Sequence, residues 1–253
     1  MHSSITARGA LCLTLVLMLF GCSSVATQQR AQQQQQQQQP PPPASSSPTT
    51  QTPQEDAAAD RIDRPTSEPY TGDLSIFEDG QRERNLQINR VMDILKIKEG
   101  SSVADIGAGS GWFTVRAARR AGASGRVYAV EINEDYVKYI ERRAAREKLP
   151  NVRTVLGSED DPRLPAKSVD AVLILKTYHE IAQPVRVLKR LRAAMRDGAL
   201  LGIIDRDGEG DDHGLDGEQV IREAGQAGFT LVEQHDFVKP DNMDYFLVFR
   251  AKN

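Results

Sequence analysis

Val103-Ala104-Asp105-Ile106-Gly107-Ala108-Gly109-Ser110-Gly111-Trp112-Phe113 leaves this chain few ways to fold. An apolar run ends in an acid, passes through three alternating glycines and continues as a helical pattern. Glycine turns the backbone through φ > 0 and lets a ligand approach where a Cβ would stand. A strand, such a turn and a helix N-terminus in succession form the nucleotide-binding corner of a doubly wound α/β sheet. The next strand pattern, Val127 to Ile132, carries Glu131 near its end, where an acid can hold ribose hydroxyls.

The remaining pattern alternates. Leu86 to Leu95 reads as a helix with Ile88, Val91, Met92 and Leu95 on one face. Phe113 to Ala121 is the helix after the glycine turn. Asn133 is placed to cap a helix burying Tyr136, Val137, Ile140 and Ala144. Val152 to Leu156 is a short strand, and Val169 to Leu175 a continuous apolar run suited to a central parallel strand. Pro184 opens a helix that Asp197-Gly198 should stop, Ala199 to Ile204 is a fifth strand, and Asp216 with Gln219 reads as a capping box. Phe229 to His235 and Tyr245 to Arg250 have no helix between them, so this last pair should be antiparallel. The expected fold is therefore α/β: a doubly wound, mostly parallel, seven-stranded Rossmann-like sheet with a terminal antiparallel hairpin.

The first 71 of the 253 residues have a different character. Arg8 precedes an apolar stretch, Ala10 to Phe20, which is shorter than the roughly 20 residues a membrane span needs. Leu19-Phe20-Gly21-Cys22 resembles a bacterial lipobox, which implies a signal peptide over 1–21 and a lipid on Cys22; an ordinary signal peptide or an uncleaved anchor is the alternative. Ser23 after Cys22 resembles a signal for outer-membrane sorting. With Cys12 removed and Cys22 lipidated, no thiol remains for a disulfide or a zinc–thiolate site. Residues 22–71 hold the glutamine tract Gln32 to Gln39 and the run Pro40 to Pro43, with almost no large apolar side chain. Such a segment cannot offset its ordering entropy by burial and is expected to be a disordered tether, or a polyglutamine interaction segment. As a coil it would span on the order of 35–40 Å. Residues 72–253 then make one domain. A net charge of −3 without a basic stripe argues against nucleic acid, and Arg119-Arg120 and Arg142-Arg143 read as solvated helix faces.

The glycines fall as G-x-G-x-G after an acid, and Glu131, the segment Asn151 to Asp161, the Val169 strand and the terminal hairpin follow in order. On these residues the chain resembles the class I S-adenosylmethionine-dependent methyltransferases from Ser75 to Lys252. Within them it is similar to a set of predicted, often exported methyltransferases at Val103–Phe113, Asp160-Asp161-Pro162-Arg163-Leu164-Pro165 and Thr177-Tyr178-His179-Glu180. The resemblance implies S-adenosylmethionine as cofactor. It puts Asp105 and the loop Gly107, Ala108, Gly109 and Gly111 at the methionine end, Glu131 on the ribose hydroxyls, and Ile132 against adenine. Ser158, Glu159 and Asp160 take the adenine edge, and Lys176 offers backbone contacts to the methionine moiety. Taken singly, each glycine could mark a mere tight turn; the set together favours the cofactor loop.

Methyl transfer from a sulfonium is an in-line displacement in which the protein mainly aligns the reactants. His179 could take a proton from an acceptor, with Tyr178 orienting it and Glu180 alongside; alternatively His179 and Glu180 cap the next helix. His235 reads as structural. Asp205, Asp207, Glu209, Asp211, Asp212, His213 and Asp216 partly mimic a calcium loop, but a solvated acidic loop accounts for them better, and no metal site is expected. Two readings of function remain: a lipid-anchored methyltransferase acting on a small molecule or an envelope component in a bacterial envelope, facing the periplasm, or a non-catalytic module that keeps the fold to bind an adenosyl ligand or a protein.

Overall fold

The computed structural model describes residues 62, 64–78, 80–209 and 213–252. Cys22, the glutamine tract and most of the expected tether lie outside the described residues. Among the described residues no helix is long and apolar enough to cross a membrane.

Seven strands form one sheet: β1 Ser102–Ile106, β2 Arg126–Glu131, β3 Val152–Leu156, β4 Val169–Leu175, β5 Met195–Asp205, β6 Phe229–His235 and β7 Tyr245–Ala251. Their order is β3-β2-β1-β4-β5-β7-β6. The first five pair in parallel, whereas β7 pairs antiparallel with both β5 and β6. The terminal hairpin is therefore present, with its second strand inserted between β5 and β6. The chain winds outward from β1 to β3, then returns to start again at β4 beside β1. That reversal opens a crevice between the carboxyl ends of β1 and β4, the place where open α/β sheets bind ligands.

Alternation along the strands divides the core in two. After a single turn without buried residues, α1 Arg82–Asn85, the helices α2 Ile88–Ile94, α3 Trp112–Ala121 and α4 Glu134–Arg146 pack over Val103, Val127, Ala129, Ala171 and Leu173. Ala104, Ile106, Val130, Val172 and Ile174 face α5 Pro184–Ala194 and α6 Gly217–Gln226. Val172, Leu173 and Ile174 are fully buried, as a central strand covered on both faces requires.

Three local expectations change. The helix expected over Leu86–Leu95 is broken at Gln87, whose φ of 51° is left-handed, so that Leu86 and Ile88 can both be buried. The helix from Pro184 ends at Ala194 rather than near Asp197, because Met195 is extended and pairs with Val169. At α6, Asp216 accepts from the Glu218 amide as a cap should, but the Gln219 side chain turns to Glu223 instead of completing the box.

Packed structure also begins before Gly72, the expected start of the domain. Arg64 reaches under α6, where its Nη2 donates to Glu223 Oε1 at 2.6 Å and Oε2 at 2.7 Å, and its Nη1 donates to the Tyr178 carbonyl at 2.9 Å. Both side chains are nearly buried, at 6% and 5% exposure. Further on, the Tyr136 hydroxyl donates to the Tyr70 carbonyl. Arg143, expected on a solvated face, is instead buried, donating to Glu78 Oε1 at 2.6 Å and to the Ser110 carbonyl at 3.0 Å. This segment thus ties α4, the glycine loop and the β4 exit together.

Truncating one partner of a buried ion pair leaves the other charge uncompensated, a loss of about 3–5 kcal/mol. Arg64→Ala should accordingly lower the denaturation midpoint by a corresponding amount, because Glu223 would keep only the Tyr178 hydroxyl and the Gln219 amide. Chemical denaturation of the variant beside the parent chain measures this, and equal midpoints would show that the segment contributes no stability.

Candidate functional site

Gly107, Gly109 and Gly111 all have positive φ, at 64°, 58° and 74°. A Cβ on Gly107 would lie 2.1 Å from Thr177 Cγ2, so the loop after β1 and the exit of β4 meet only because residue 107 lacks a side chain. Around Gly109 nothing lies within 4 Å of a built Cβ, leaving open space on the loop where a ligand can approach. Ser110 Oγ in the same loop is buried without a hydrogen-bond partner.

Glu131, at the end of β2, is 7% exposed. Its Oε1 accepts from the Gly109 amide at 2.5 Å and its Oε2 from the Ile132 amide at 3.2 Å. Burial pushes its carboxyl up to about 7; those two amide hydrogen bonds oppose the rise, and nearby Asp105 adds to it. Asp105 is buried too and raised to about 6, with desolvation outweighing the 2.6 Å hydrogen bond that the Thr114 hydroxyl donates to it. Ile132 is 53% exposed, an apolar side chain held at the rim. It lines a cleft of about 650 Å³ with Gly157, Ser158, Glu159, Asp160, Gln183 and Arg186. Glu131 bonds to the glycine loop, and residue 132 carries the chain from there into the cleft with Ser158, Glu159 and Asp160, so the expected ribose and adenine-edge residues adjoin.

Lys176 sits at the β4 exit with φ 53°, and its amide donates to the Ile204 carbonyl at 2.7 Å. Its carbonyl alone is left to serve a ligand. Desolvation and the neighbouring Arg82 and Arg206 lower its ammonium from the usual value.

Tyr178 and His179, both buried, face different partners in the short 3-10 turn Tyr178–Glu180. Tyr178 is fully buried and its hydroxyl donates to Glu223 Oε2 at 2.8 Å, so the expected contact with an acceptor is corrected: it belongs to the Arg64–Glu223 network. His179 is buried against β5, its Nδ1 2.8 Å from Asp205 Oδ1, while its amide donates to Asp205 Oδ2. Its Nε2 faces Glu180 Oε1 at 3.6 Å, and His213 Nδ1 is 3.2 Å from the same oxygen. Glu180 Oε2 accepts from the Ser67 amide at 2.7 Å. With Asp205 on Nδ1, the neutral ring carries its lone pair on Nε2, able to accept a proton or bind a cation.

Asp205 was the residue that sequence reasoning placed only in an acidic loop. Parallel pairing of β4 and β5 brings their carboxyl ends side by side, a signal that could have joined it to His179. The calcium-loop mimicry dissolves among the described residues: Asp205 holds His179, Asp207 accepts from the Gly217 amide, and Asp216 caps α6. Asp211 and Asp212 lie outside the described residues. His235 pairs with Glu233 at 3.0 Å and stacks near Phe237 and Phe246, well apart in sequence from either cluster.

Residues 103–198 match the family described as methyltransferase domain. The chain is 35% identical to nocamycin O-methyltransferase of Saccharothrix syringae over 83 residues, which are 33% of this chain and 30% of that protein. It is 28% identical to protein-L-isoaspartate O-methyltransferase of Pyrococcus horikoshii over 95 residues, 38% of this chain and 42% of that one. It spans less than half the length of these curated relatives. Among solved structures, a SAM-dependent methyltransferase from Aquifex aeolicus superposes with a TM-score of 0.62 at 24% identity, covering 70% of this chain and 95% of its own. The [4+2]-cyclase SpnF superposes at 0.58 with 15% identity, covering 76% and 87%. The fold is the Rossmann-like methyltransferase fold. The matched segment runs from β1 into β5 and contains the glycine loop, Glu131 and the turn that carries His179.

The raised Glu131 carboxyl has a consequence for stability. Its folded value, about 7, lies above the ordinary 4.5, so the folded chain favours the protonated form. The group imposes no cost below pH 4.5, and a growing one as pH rises through 7. Glu131→Gln should therefore stabilise the ligand-free chain by on the order of 2 kcal/mol at pH 8 and by little near pH 4.5. Denaturation midpoints at the two pH values check this; a gain confined to the acid side would contradict it.

Proposed function

We propose that this chain transfers the methyl group of S-adenosylmethionine to an acceptor, a small molecule or an envelope component, from a domain anchored through a lipid on Cys22. The observation that carries the proposal is the contact between Glu131 Oε1 and the Gly109 amide. One cofactor reaching both elements would replace that contact with its own: its ribose diol donating to the Glu131 carboxylate, its amino-acid end on the glycine loop. The open side of Gly109, the unpartnered Ser110 hydroxyl and the exposed Ile132 fit such a ligand. Bound there, the cofactor supplies an activated methyl group, so the protein's task is alignment. Asp105 stays with Thr114 beneath the loop and fixes its base. His179, held by Asp205, stands with Glu180 and His213 on the other side of the same crevice, where the acceptor would be received.

A second reading, retained binding without methyl transfer, draws support from the [4+2]-cyclase: a fold this close carries a different chemistry under its printed name. The envelope placement favours it as well, because the cofactor is made in the cytoplasm. The lipobox-like Leu19–Cys22 supports that placement.

Calorimetry on the full chain tests the proposal. S-adenosylmethionine and S-adenosylhomocysteine should both bind, and Glu131→Ala should weaken each by roughly 10-fold to 100-fold, the worth of hydrogen bonds to a charged group. Affinity should be lower at pH 6 than at pH 8, since protonation of Glu131 near 7 removes an acceptor. No binding by the folded parent chain would reject the cofactor assignment; binding without methylation of any envelope extract would favour the second reading.

A further inference from the structure

The acidic run after β5 reads better as a solvated loop than as a metal site, yet the turn after β4 and the loop after β5 converge on one point. His179 lies in the turn after β4, and His213 in the loop between β5 and α6. His179 Nε2, a Glu180 carboxylate oxygen and His213 Nδ1 all lie within 4.8 Å of one another. A tetrahedral ion with bonds of about 2.0–2.1 Å holds its ligands about 3.3–3.4 Å apart. Here the His179–Glu180 and His213–Glu180 separations are 3.6 and 3.2 Å, so two edges of such a tetrahedron are formed already.

The partners behind these groups make the stronger case. A ligating histidine ordinarily donates its other ring N–H to a carboxylate, which fixes the tautomer and raises the ligand's basicity. Asp205, fully buried, accepts from His179 Nδ1 at 2.8 Å and is itself steadied by the amides of His179 and Arg206. Glu180 Oε2 is held by the Ser67 amide, leaving Oε1 turned to the two histidines. Two of the three groups are thus fixed from behind, one by the sheet and one by the N-terminal segment. His213 is different. Its side chain is 63% exposed and meets the set through Nδ1, 3.2 Å from Glu180 Oε1.

We propose that His179, Glu180 and His213 bind a divalent first-row transition metal, with Asp205 as the positioning residue. Two imidazoles and one carboxylate suit zinc-like ions and disfavour calcium or magnesium, which take oxygen ligands. Three protein ligands leave a position for water or for a substrate oxygen, nitrogen or sulfur. If the methyl-transfer reading holds, on which this part alone rests, the acceptor is a molecule that coordinates a metal through the atom to be methylated. A cation there would lower that atom's pKa, with Nε2 of His179 serving as ligand rather than base.

The test titrates Zn²⁺ and Co²⁺ into the chelator-treated full chain. One ion per chain should bind, with Co²⁺ giving the intense visible bands of a low-coordinate site. His213→Ala, at an exposed position that should not disturb folding, should weaken binding at least tenfold. Asp205→Asn should weaken it roughly 10-fold to 100-fold and alter the Co²⁺ spectrum, a change that lost packing alone would not give. Absence of stoichiometric binding by the parent chain overturns the proposal, and so does identical affinity in His213→Ala. S-adenosylhomocysteine binding, measured in parallel, separates the two readings: its loss with metal binding intact defeats the cofactor assignment alone.

Discussion

Thr177 occupies the space that a side chain at position 107 would need. Because Gly107 has none, the loop leaving β1 and the turn leaving β4 can close on each other across the reversal of strand order. Everything at the crevice depends on that approach. It sets Glu131 against the Gly109 amide on one side and presents the turn containing His179 on the other. Any Cβ at 107 would collide with Thr177 and also require a left-handed backbone, so two independent penalties act at one residue.

The site is costly to the fold. Asp105 and Glu131 are buried carboxylates a single strand apart, each held near neutrality by desolvation that its hydrogen bonds do not overcome. A chain selected for stability alone would place apolar groups there. The compensation comes from structure around the crevice. Arg143 binds the Ser110 carbonyl and Glu78 together, and Arg64 clamps α6 to the β4 exit, so two buried guanidinium groups brace the elements around the glycine loop. The buried carboxylates and the guanidinium groups that brace their surroundings thus lie on different segments of the chain.

The sheet was legible because its signals are periodic and local. The continuous run of β4, the alternation between glycines after β1 and the short connection before β7 each specify an element by themselves. What could not be read were contacts joining distant segments. Arg143 looked like part of a solvated face, since Arg142, Arg146 and Glu147 beside it are charged; Glu78, from 65 positions away, joins Glu147 in making its burial tolerable. The segment before Gly72 looked like tether for the same reason, as Arg64 meets Glu223, 159 positions away, only once α6 exists. Gln87, a left-handed residue inside an apparent helix, had no glycine or proline to announce it. The cofactor side of the site was readable because it is one loop and the next strand end. The other side, built from β4, β5 and two loops, was not.

Tyr178 and His179 show how little sequence adjacency says about role. In a 3-10 turn consecutive side chains diverge by about a third of a turn. Here one enters the packed layer beneath α6 and the other meets the end of β5. The polar atoms of Tyr178 are satisfied by Glu223, whose carboxylate also receives Arg64, which makes that tyrosine an anchor for the turn rather than a participant. Anchoring matters because His179 has almost no freedom left. Its ring is buried, its Nδ1 is fixed, and its backbone amide is bonded to the carboxylate that holds the ring. A merely helix-capping histidine would need none of this. A ring held from two directions, with one nitrogen turned to a second carboxylate that an exposed imidazole also meets, fits the metal site proposed above.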